Sequence, residues 1–189
     1  MKTNKKRFNK KLFIVVGHTG AGKTTLCQRL GNDYGIKVIP FSSTAKQFSE
    51  SIGYYDEKDS ILKCYKILGS KVFATLYNEY MLEVFERSLK DDEVVIVEGL
   101  YISIIMPELK RKYDVCMEAL DVPMSICLKR KLSNSNSRES LEIYKAKEVL
   151  KEGLGIDNLI QEADYHINGM LDKNTVFNEA SAIFNSFRK

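Results

Sequence analysis

The sequence has no tryptophan, only three prolines and no long uninterrupted apolar run among its 189 residues. So few prolines exclude an extended proline-rich linker. A membrane-spanning helix needs about 20 apolar residues, and the apolar stretch Leu12–Val16 is also too short for the central region of a signal peptide. We therefore expect a cytoplasmic protein that does not associate with a membrane.

Cysteine and histidine are scarce as well. The four cysteines, Cys27, Cys64, Cys116 and Cys127, form no C-x-x-C pair, and only two histidines are present. Because structural zinc sites are built from closely spaced Cys and His side chains, we do not expect a zinc-stabilised fold. Scattered thiols of this kind are typical of a reducing compartment.

Charge of one sign is not concentrated anywhere except at residues 2–11, which contain six lysines and arginines. The formal net charge is only +4, whereas a nucleic-acid-binding domain usually carries a denser basic stripe. We interpret residues 2–11 as a solvated segment before the first strand, with a phosphate-attracting arm as the alternative. No nucleic-acid partner is expected.

The residues that are present suit one globular domain in which strands and helices alternate. Strands are predicted at 12–17, 36–41, 93–98, 113–122 and 163–168. Helices are predicted at 24–34, 44–52, 67–89, 102–112, 123–132, 139–152 and 174–187. This order predicts a three-layer α/β fold, a five-stranded parallel sheet with helices on both faces. The apolar stripe in 67–89 is interpreted as a face that packs on the core.

The segment G-H-T-G-A-G-K-T at 17–24 matches the pattern G-x-x-x-x-G-K-[ST] between a predicted strand and a predicted helix. Glycines let several backbone N–H groups point into one concavity, and the following helix adds its N-terminal dipole. In this pattern Lys23 reaches the β- and γ-phosphates of a nucleoside triphosphate, and the Thr24 hydroxyl ligates Mg²⁺. The alternative is a glycine-rich turn without a ligand.

The candidate triphosphate-binding residues are Gly17, His18, Thr19, Gly20, Ala21, Gly22, Lys23, Thr24 and Thr25. Among them, His18 occupies a variable position of the pattern and is interpreted as a tolerated side chain. Thr25 supports the loop or contacts the α-phosphate in this interpretation. Ligands of parallel α/β folds bind beyond the carboxyl ends of the strands, so the loops that follow the other strands are expected around the same site.

A carboxylate ends the third predicted strand. Glu98 follows V-V-I-V and precedes a glycine, so we predict that it contributes to the magnesium site or serves as a base toward an acceptor hydroxyl. A strand-end carboxylate without a metal role is the alternative. Together with Lys23, Glu98 is a candidate catalytic residue.

Phosphoryl transfer concentrates negative charge, so cations are expected to approach the donor from other segments. Arg130 lies on the helix that leaves the fourth strand and is a candidate catalytic and nucleotide-binding residue. Arg138, across the polar segment 133–137, is a candidate substrate-binding residue that would form with Arg130 a small lid over ATP, and a solvated surface is an equal alternative. Lys46 and Arg87 are candidate contacts of an acceptor phosphate, although each alone is more often part of a solvated helix face.

These motifs together resemble the P-loop nucleotide kinases over nearly the whole chain. The loop G-H-T-G-A-G-K-T-T-L looks like that of nucleotide kinases, and V-V-I-V-E-G-L is similar to the third-strand segment of adenylate-kinase-type enzymes. The segment A-D-Y-H-I-N-G at 163–169 is similar to a late segment of dephospho-CoA kinases and their relatives, in which a short strand precedes an adenine-contacting loop. The resemblance therefore implies nucleotide contacts at Asn168 and Gly169.

The resemblance also implies ATP and Mg²⁺, and a single kinase domain over 1–189. Within it, an acceptor-binding helical insert is expected near 43–90 and a lid near 130–140. Two segments depart from the family pattern. Residues 40–43 read P-F-S-S, without the aspartate that serves the acceptor hydroxyl in dephospho-CoA kinases, and 44–47 and 99–101 lack the arginines of nucleoside monophosphate kinases.

The departures can be weighed against each other. A phosphate acceptor is already an anionic nucleophile and needs no base, so the missing aspartate favours a nucleotide acceptor. The missing arginines count against one, although lysine can partly replace them. We predict an ATP-dependent nucleotide kinase, a monomer or homodimer, acting on a small nucleotide-like acceptor. The alternatives are transfer to a hydroxyl, a regulatory nucleotide-binding NTPase, and a binding protein without turnover.

Overall fold

A computed structural model of the protein describes residues 10–53, 60–90, 92–133 and 140–189. The candidate Arg138, most of the basic residues at 2–11 and much of the predicted lid therefore lie outside the described residues. Within the part of the chain that is described, no helix is long and apolar enough to cross a membrane.

Five strands form one parallel sheet in the order β2-β3-β1-β4-β5. The strands are β1 (Lys11–Val16), β2 (Val38–Pro40), β3 (Val94–Glu98), β4 (Asp114–Asp121) and β5 (Tyr165–Asn168). The helices are α1 (Lys23–Tyr34), α2 (Phe41–Ser51), α3 (Ser60–Ser88), α4 (Met106–Lys112), α5 (Met124–Ser133), α6 (Leu141–Gly153), α7 (Ile156–Gln161) and α8 (Lys173–Arg188). The predicted fold class is confirmed.

The central strand β1 is buried on both faces, which is why its sequence is an uninterrupted apolar run. Successive side chains of a strand point to opposite faces. Leu12 and Ile14 pack in a core with α2, α3, α4 and α6, whereas Phe13 and Val15 pack against α1 and α8. The two apolar cores hold the carboxyl ends of β1, β3 and β4 at one edge of the sheet, and the glycine-rich loop follows β1 there.

The apolar stripe of α3 is only partly a core face, so that prediction was wrong in part. Phe73 and Tyr77 are fully buried, but Ile67, Val72 and Leu76 are 64%, 48% and 38% exposed. Gly69 adopts non-helical backbone angles (φ 74°, ψ 161°) inside this helix, which changes the phase of the pattern there. Val72 and Leu76 each precede a buried residue, and one helical step rotates a side chain by about 100°.

Two smaller differences concern helices. The helix α7 was not predicted; its N-cap is Gly155, whose φ of 94° suits glycine, and the sequence signal there was interpreted only as the end of a helix. The strand predicted at 36–41 is shorter, because Phe41 is already the first residue of α2. Ser42 therefore lies in the first turn of α2 at the edge of the sheet where the glycine-rich loop lies.

Candidate active site

The loop Gly17–Thr24 connects β1 to α1 and requires its glycines for two reasons. Gly17, Gly20 and Gly22 have φ values of 143°, 99° and 107°, which side-chain-bearing residues rarely adopt. At Gly20 a Cβ would also lie only 2.3 Å from the backbone oxygen of Cys127 in α5. Amides in the first turn of a helix have no intrahelical acceptor, so the start of α1 at Lys23 offers N–H donors to an anion.

Lys23 is buried and held across the loop. Its Nζ donates to the backbone oxygens of Gly17 at 2.8 Å and His18 at 2.9 Å. Burial, and next the charge of Lys151, lower the pKa of Lys23 to about 8, while the charge of Glu98 acts in the opposite direction. An ammonium group in this position is stabilised by an additional anion, which is the electrostatic condition for binding phosphate.

Thr24 and Glu98 meet at the carboxyl end of the sheet. Glu98 pairs in register with Val15 and ends β3, and the hydroxyl of Thr24 donates to Oε1 of Glu98 at 2.9 Å. These are hard oxygen ligands of the type that Mg²⁺ prefers. No cluster of three or more His, Cys, Asp or Glu residues within the described ranges could hold a metal by itself. The pair therefore fits a magnesium ion whose remaining ligands are phosphate oxygens and water.

Arg130 joins three segments around the loop. Its Nη2 donates to the backbone oxygen of Gly169 at 3.1 Å, and its Nη1 lies 3.5 Å from the backbone oxygen of Ala21. Glycine at 169 lets this turn pack against the end of β4, because a Cβ there would lie 2.5 Å from Cγ2 of Val122. Asn168 accepts a hydrogen bond from the Met170 amide at 3.0 Å, so its side chain shapes the turn beside Arg130.

A cavity of about 720 Å³ opens over the loop, between α1, α2, α5 and α6. Among the described residues that line it, the only carboxylate is Glu98. Its basic lining residues are Lys23, Lys46, Arg130, Lys131, Lys147 and Lys151. A concave site with this excess of positive charge favours a polyanionic ligand, and its volume lies within the usual range of small-molecule sites.

Comparison with known proteins supports the fold of the chain but does not identify its family or its substrate. No family model matches the chain, and no match was found among curated proteins. Solved structures do match. The fold is that of the shikimate kinases.

The shikimate kinase from Bacteroides thetaiotaomicron is similar with a TM-score of 0.63 and 17% identity, over 93% of this chain and 98% of that one. The enzyme from Aquifex aeolicus gives 0.57 and 18%, over 94% and 99%. The enzyme from Acinetobacter baumannii, in complex with shikimate, gives 0.58 and 22%, over 93% and 90%. At these identities the likeness shows a shared P-loop fold, and the finer resemblance to dephospho-CoA and nucleoside monophosphate kinases stays a prediction.

The two described candidates for contacts with the acceptor, Lys46 and Arg87, lie in different parts of the structure. Lys46 of α2 lines the cavity, where Ser42 and Tyr101 also lie, although its Nζ is 3.6 Å from Glu50 of the same helix. Arg87 is not brought to the cavity, which corrects the sequence-based assignment. Its exposed guanidinium pairs with Glu83, one turn earlier in α3.

The end of α3 that carries Arg87 lies at the opposite edge of the sheet from the loop. The neighbouring Glu86 forms an ion pair of 2.8 Å with Lys112, the last residue of α4, which lies two residues before β4 begins. In a parallel sheet the amino ends of strands lie away from the carboxyl ends that form the site. The sequence pattern showed that Arg87 was helical but not in which direction the helix runs along the sheet.

Sequence reasoning missed the contribution of α6. Lys147 and Lys151 line the cavity, and Glu148 between them contacts His18 and Thr19 of the loop. The spacing of the two lysines places them on one helix face, which was a usable signal. His18, interpreted as a tolerated side chain, has a tertiary partner: its Nδ1 lies 3.2 Å from Oε2 of Glu148.

Proposed function

We propose that this chain is an ATP-dependent kinase that transfers a phosphoryl group to a small acceptor bound in the 720 Å³ cavity. The observation that carries the proposal is the hydrogen bond of 2.9 Å between Thr24 and Glu98, next to the buried Lys23. A turn that is rich in glycine only for structural reasons requires neither a buried lysine nor a strand-end carboxylate beside it.

Each of these residues has a separable task. The loop amides and Lys23 bind and orient the β- and γ-phosphates, and Thr24 and Glu98 would hold Mg²⁺. When bound, Mg²⁺ neutralises charge on the phosphate oxygens. Arg130, bridging α5 and the loop after β5, supports the nucleotide and adds positive charge as transfer proceeds. We place Asn168 and Gly169 beside the nucleotide base.

The acceptor is proposed to bind between α2, α3 and α6, in the part of the cavity lined by Ser42, Lys46, Ile61 and Tyr101. Of these residues, Lys46 and Ile61 belong to the segment 43–90, whereas Ser42 and Tyr101 lie outside it. A nucleotide is the first candidate, because a phosphate nucleophile needs no base and Lys46 offers a charge for it. The mixed apolar and hydroxyl lining also suits a flat ring.

A hydroxyl acceptor is the second candidate. It is favoured by the fold shared with shikimate kinases, one of which is solved in complex with shikimate. In this chain the base for such an acceptor would be Glu98, which already accepts the hydroxyl hydrogen bond of Thr24. This double use of one carboxylate is the reason to place the hydroxyl acceptor second.

The test is ADP release by the purified chain with ATP and Mg²⁺ against a panel of nucleoside monophosphates, nucleosides, dephospho-CoA and shikimate. We expect a nucleoside monophosphate to raise ADP release at least about tenfold over acceptor-free hydrolysis. A larger effect of a hydroxyl acceptor would select the second candidate. If no acceptor raises ADP release above the acceptor-free rate, the kinase proposal is wrong, and the regulatory NTPase is favoured.

A further inference from the structure

A buried carboxylate lies beside the phosphate-binding loop. Glu148 of α6 is 4% exposed. Its Oε1 accepts hydrogen bonds from the Thr19 hydroxyl and, at 2.8 Å, from Nζ of Lys151, and its Oε2 is 3.2 Å from Nδ1 of His18. An ionised carboxylate only accepts hydrogen bonds, so Nδ1 of His18 carries the proton in this contact.

The three donors keep Glu148 charged. Burial alone would raise its pKa, but the hydrogen bonds from His18, Lys151 and Thr19 and the positive charge of Lys151 hold the pKa well below the usual range of a glutamate. A buried charge is tolerated when it is paired and hydrogen-bonded. Glu148 and its donors therefore form one connected network, in which the loss of any member leaves another group unsatisfied.

A second contact joins α6 to the same residue of the loop. The hydroxyl of Tyr144, one turn before Glu148, donates to the backbone oxygen of Thr19 at 3.2 Å, and Nζ of Lys151 also contacts the Thr19 hydroxyl. The main chain and the side chain of Thr19 are thus both held by one face of α6. His18 is further oriented from α7, where Oδ1 of Asp157 lies 3.7 Å from its Nε2.

The network ends at a cation in the cavity. Lys151 lines the cavity, and its charge is the second cause, after burial, of the lowered pKa of Lys23. Nζ of Lys151 contacts the hydroxyl of Thr19, and Nζ of Lys23 donates to the backbone oxygen of the adjacent His18 at 2.9 Å, so the two ammonium groups lie beside the same part of the loop. Lys23 is the residue that the loop pattern directs to the β- and γ-phosphates, so Lys151 approaches the terminal end of a bound triphosphate.

We propose that Glu148 is a positioning residue, which holds His18 and Thr19 against α6 and directs Lys151 toward the terminal phosphate. Glu148 touches no substrate itself: its effect on the terminal phosphate is transmitted through Lys151, whereas its contacts with His18 and Thr19 support triphosphate and diphosphate binding alike. The proposal rests on the proposed function to the extent that it requires a triphosphate donor. In this proposal the preference of the site for a triphosphate over a diphosphate depends on residues of α6, a helix more than a hundred residues from the loop in sequence.

The test is a double-mutant cycle on nucleotide affinity. Glu148→Gln, Lys151→Met and the double variant are titrated with AMPPNP and with ADP, each with Mg²⁺. We expect each single variant to lower the AMPPNP-to-ADP affinity ratio by about five- to tenfold. The double variant should match Lys151→Met alone, because Glu148 acts through that lysine. Glu152→Gln, an exposed neighbour on the same helix, is the control and should leave the ratio unchanged.

The proposal is overturned if Glu148→Gln weakens AMPPNP and ADP equally, if the two substitutions are additive, or if the ratio does not change. Where Glu148→Gln fails to fold, Thr19→Val takes its place in the cycle, with the same expectations and the same grounds for rejection. The cycle needs no acceptor, so a missing turnover in the acceptor panel counts against the kinase and not against Glu148. A wild-type chain that binds no AMPPNP refutes both.

Discussion

The donor side and the acceptor side of the cavity differ in how their charged groups are held. On the donor side, Lys23 donates to two loop carbonyls and Arg130 donates to the backbone of Gly169. On the acceptor side, Lys46 is 60% exposed and pairs only weakly with its own helix at 3.6 Å. Groups fixed by backbone partners, here the buried Lys23 and the more exposed Arg130, are preorganised for charge stabilisation, whereas a weakly paired lysine is ordered by what binds to it.

This difference indicates which side of the cavity determines specificity. We propose that the donor side binds phosphate, because its cations are fixed by backbone partners around a glycine-rich loop at the start of a helix. The acceptor side presents one exposed cation, a hydroxyl and a ring, which many small acceptors would satisfy. Substitutions should therefore act more strongly, and more uniformly across acceptors, on the donor side.

The largest effect is expected at Lys23. Lys23→Met should lower turnover by about 10²- to 10³-fold with every acceptor, because the cation at the transferred phosphate is lost. The measurement is steady-state ADP release at saturating acceptor. Lys37→Met, an exposed lysine just before β2 at the other edge of the sheet, is the matched control. Turnover within about threefold of wild type would contradict the donor assignment.

The second effect concerns the shape of the loop. Gly20→Ala should weaken AMPPNP binding by more than about tenfold, because its Cβ would lie 2.3 Å from the Cys127 oxygen at a φ of 99°. Gly22→Ala separates the two causes, since Gly22 has a φ of 107° but no atom within 4 Å of a Cβ. It should cost only the backbone strain of about 1–2 kcal/mol. Urea unfolding and nucleotide titration measure both variants, and equal losses would argue against the contact with α5.

The third effect tests the acceptor side. Lys46→Met should raise the KM for the acceptor by about three- to tenfold and leave the KM for ATP unchanged, because an exposed charge contributes about 1 kcal/mol. Arg87→Met should change neither constant, since Arg87 pairs with Glu83 away from the cavity. Steady-state kinetics with both substrates varied would show this. A change in the acceptor KM of the Arg87 variant would restore the sequence-based assignment.

The smallest effect on activity is expected at Glu118, a buried carboxylate that belongs to neither side. Val15 is the register partner of Glu118 in β4 and of Glu98 in β3, so the two carboxylates lie on the same face of the sheet. Both carboxylate oxygens of Glu118 lack a hydrogen-bond partner among the described residues. Burial, followed by the charge of Glu179, raises the pKa of Glu118 to about 8. The folded state therefore keeps a proton that the unfolded chain releases near pH 4.5.

The sign of the pH dependence follows from this raised pKa. The stabilising effect of protonated Glu118 is complete below about pH 4.5 and is lost as the pH rises through about 8. In the wild-type chain the free energy of unfolding should fall between pH 5 and pH 9 as Glu118 loses its proton. In the Glu118→Gln variant this fall should be smaller by about 2–4 kcal/mol. Urea unfolding at several pH values measures it. Parallel curves for variant and wild type would contradict the assignment, and turnover should be unchanged at pH 7.

The success of the sequence-based predictions varied with how local each feature is. The loop at 17–24 and the strand ending at Glu98 were predictable, because glycine positions, the Lys-Thr pair and an apolar run act over a few residues. The stripe of α3 was wrong in part, because Gly69 interrupts the helical phase and a pattern does not show which neighbours cover it. The short helix α7 was missed, since two glycines close together were interpreted only as a stop.

The fold class and the glycine-rich loop were therefore predictable from the residue pattern, because the features that specify them lie within contiguous residues. Which distant groups meet that loop depends on tertiary packing. The parallel order β2-β3-β1-β4-β5 sets Glu98 against Thr24, turns Arg87 away, and packs α6 so that Glu148 and Lys151 reach Thr19. These contacts depend on how helices pack on the sheet, and no local pattern encodes that packing.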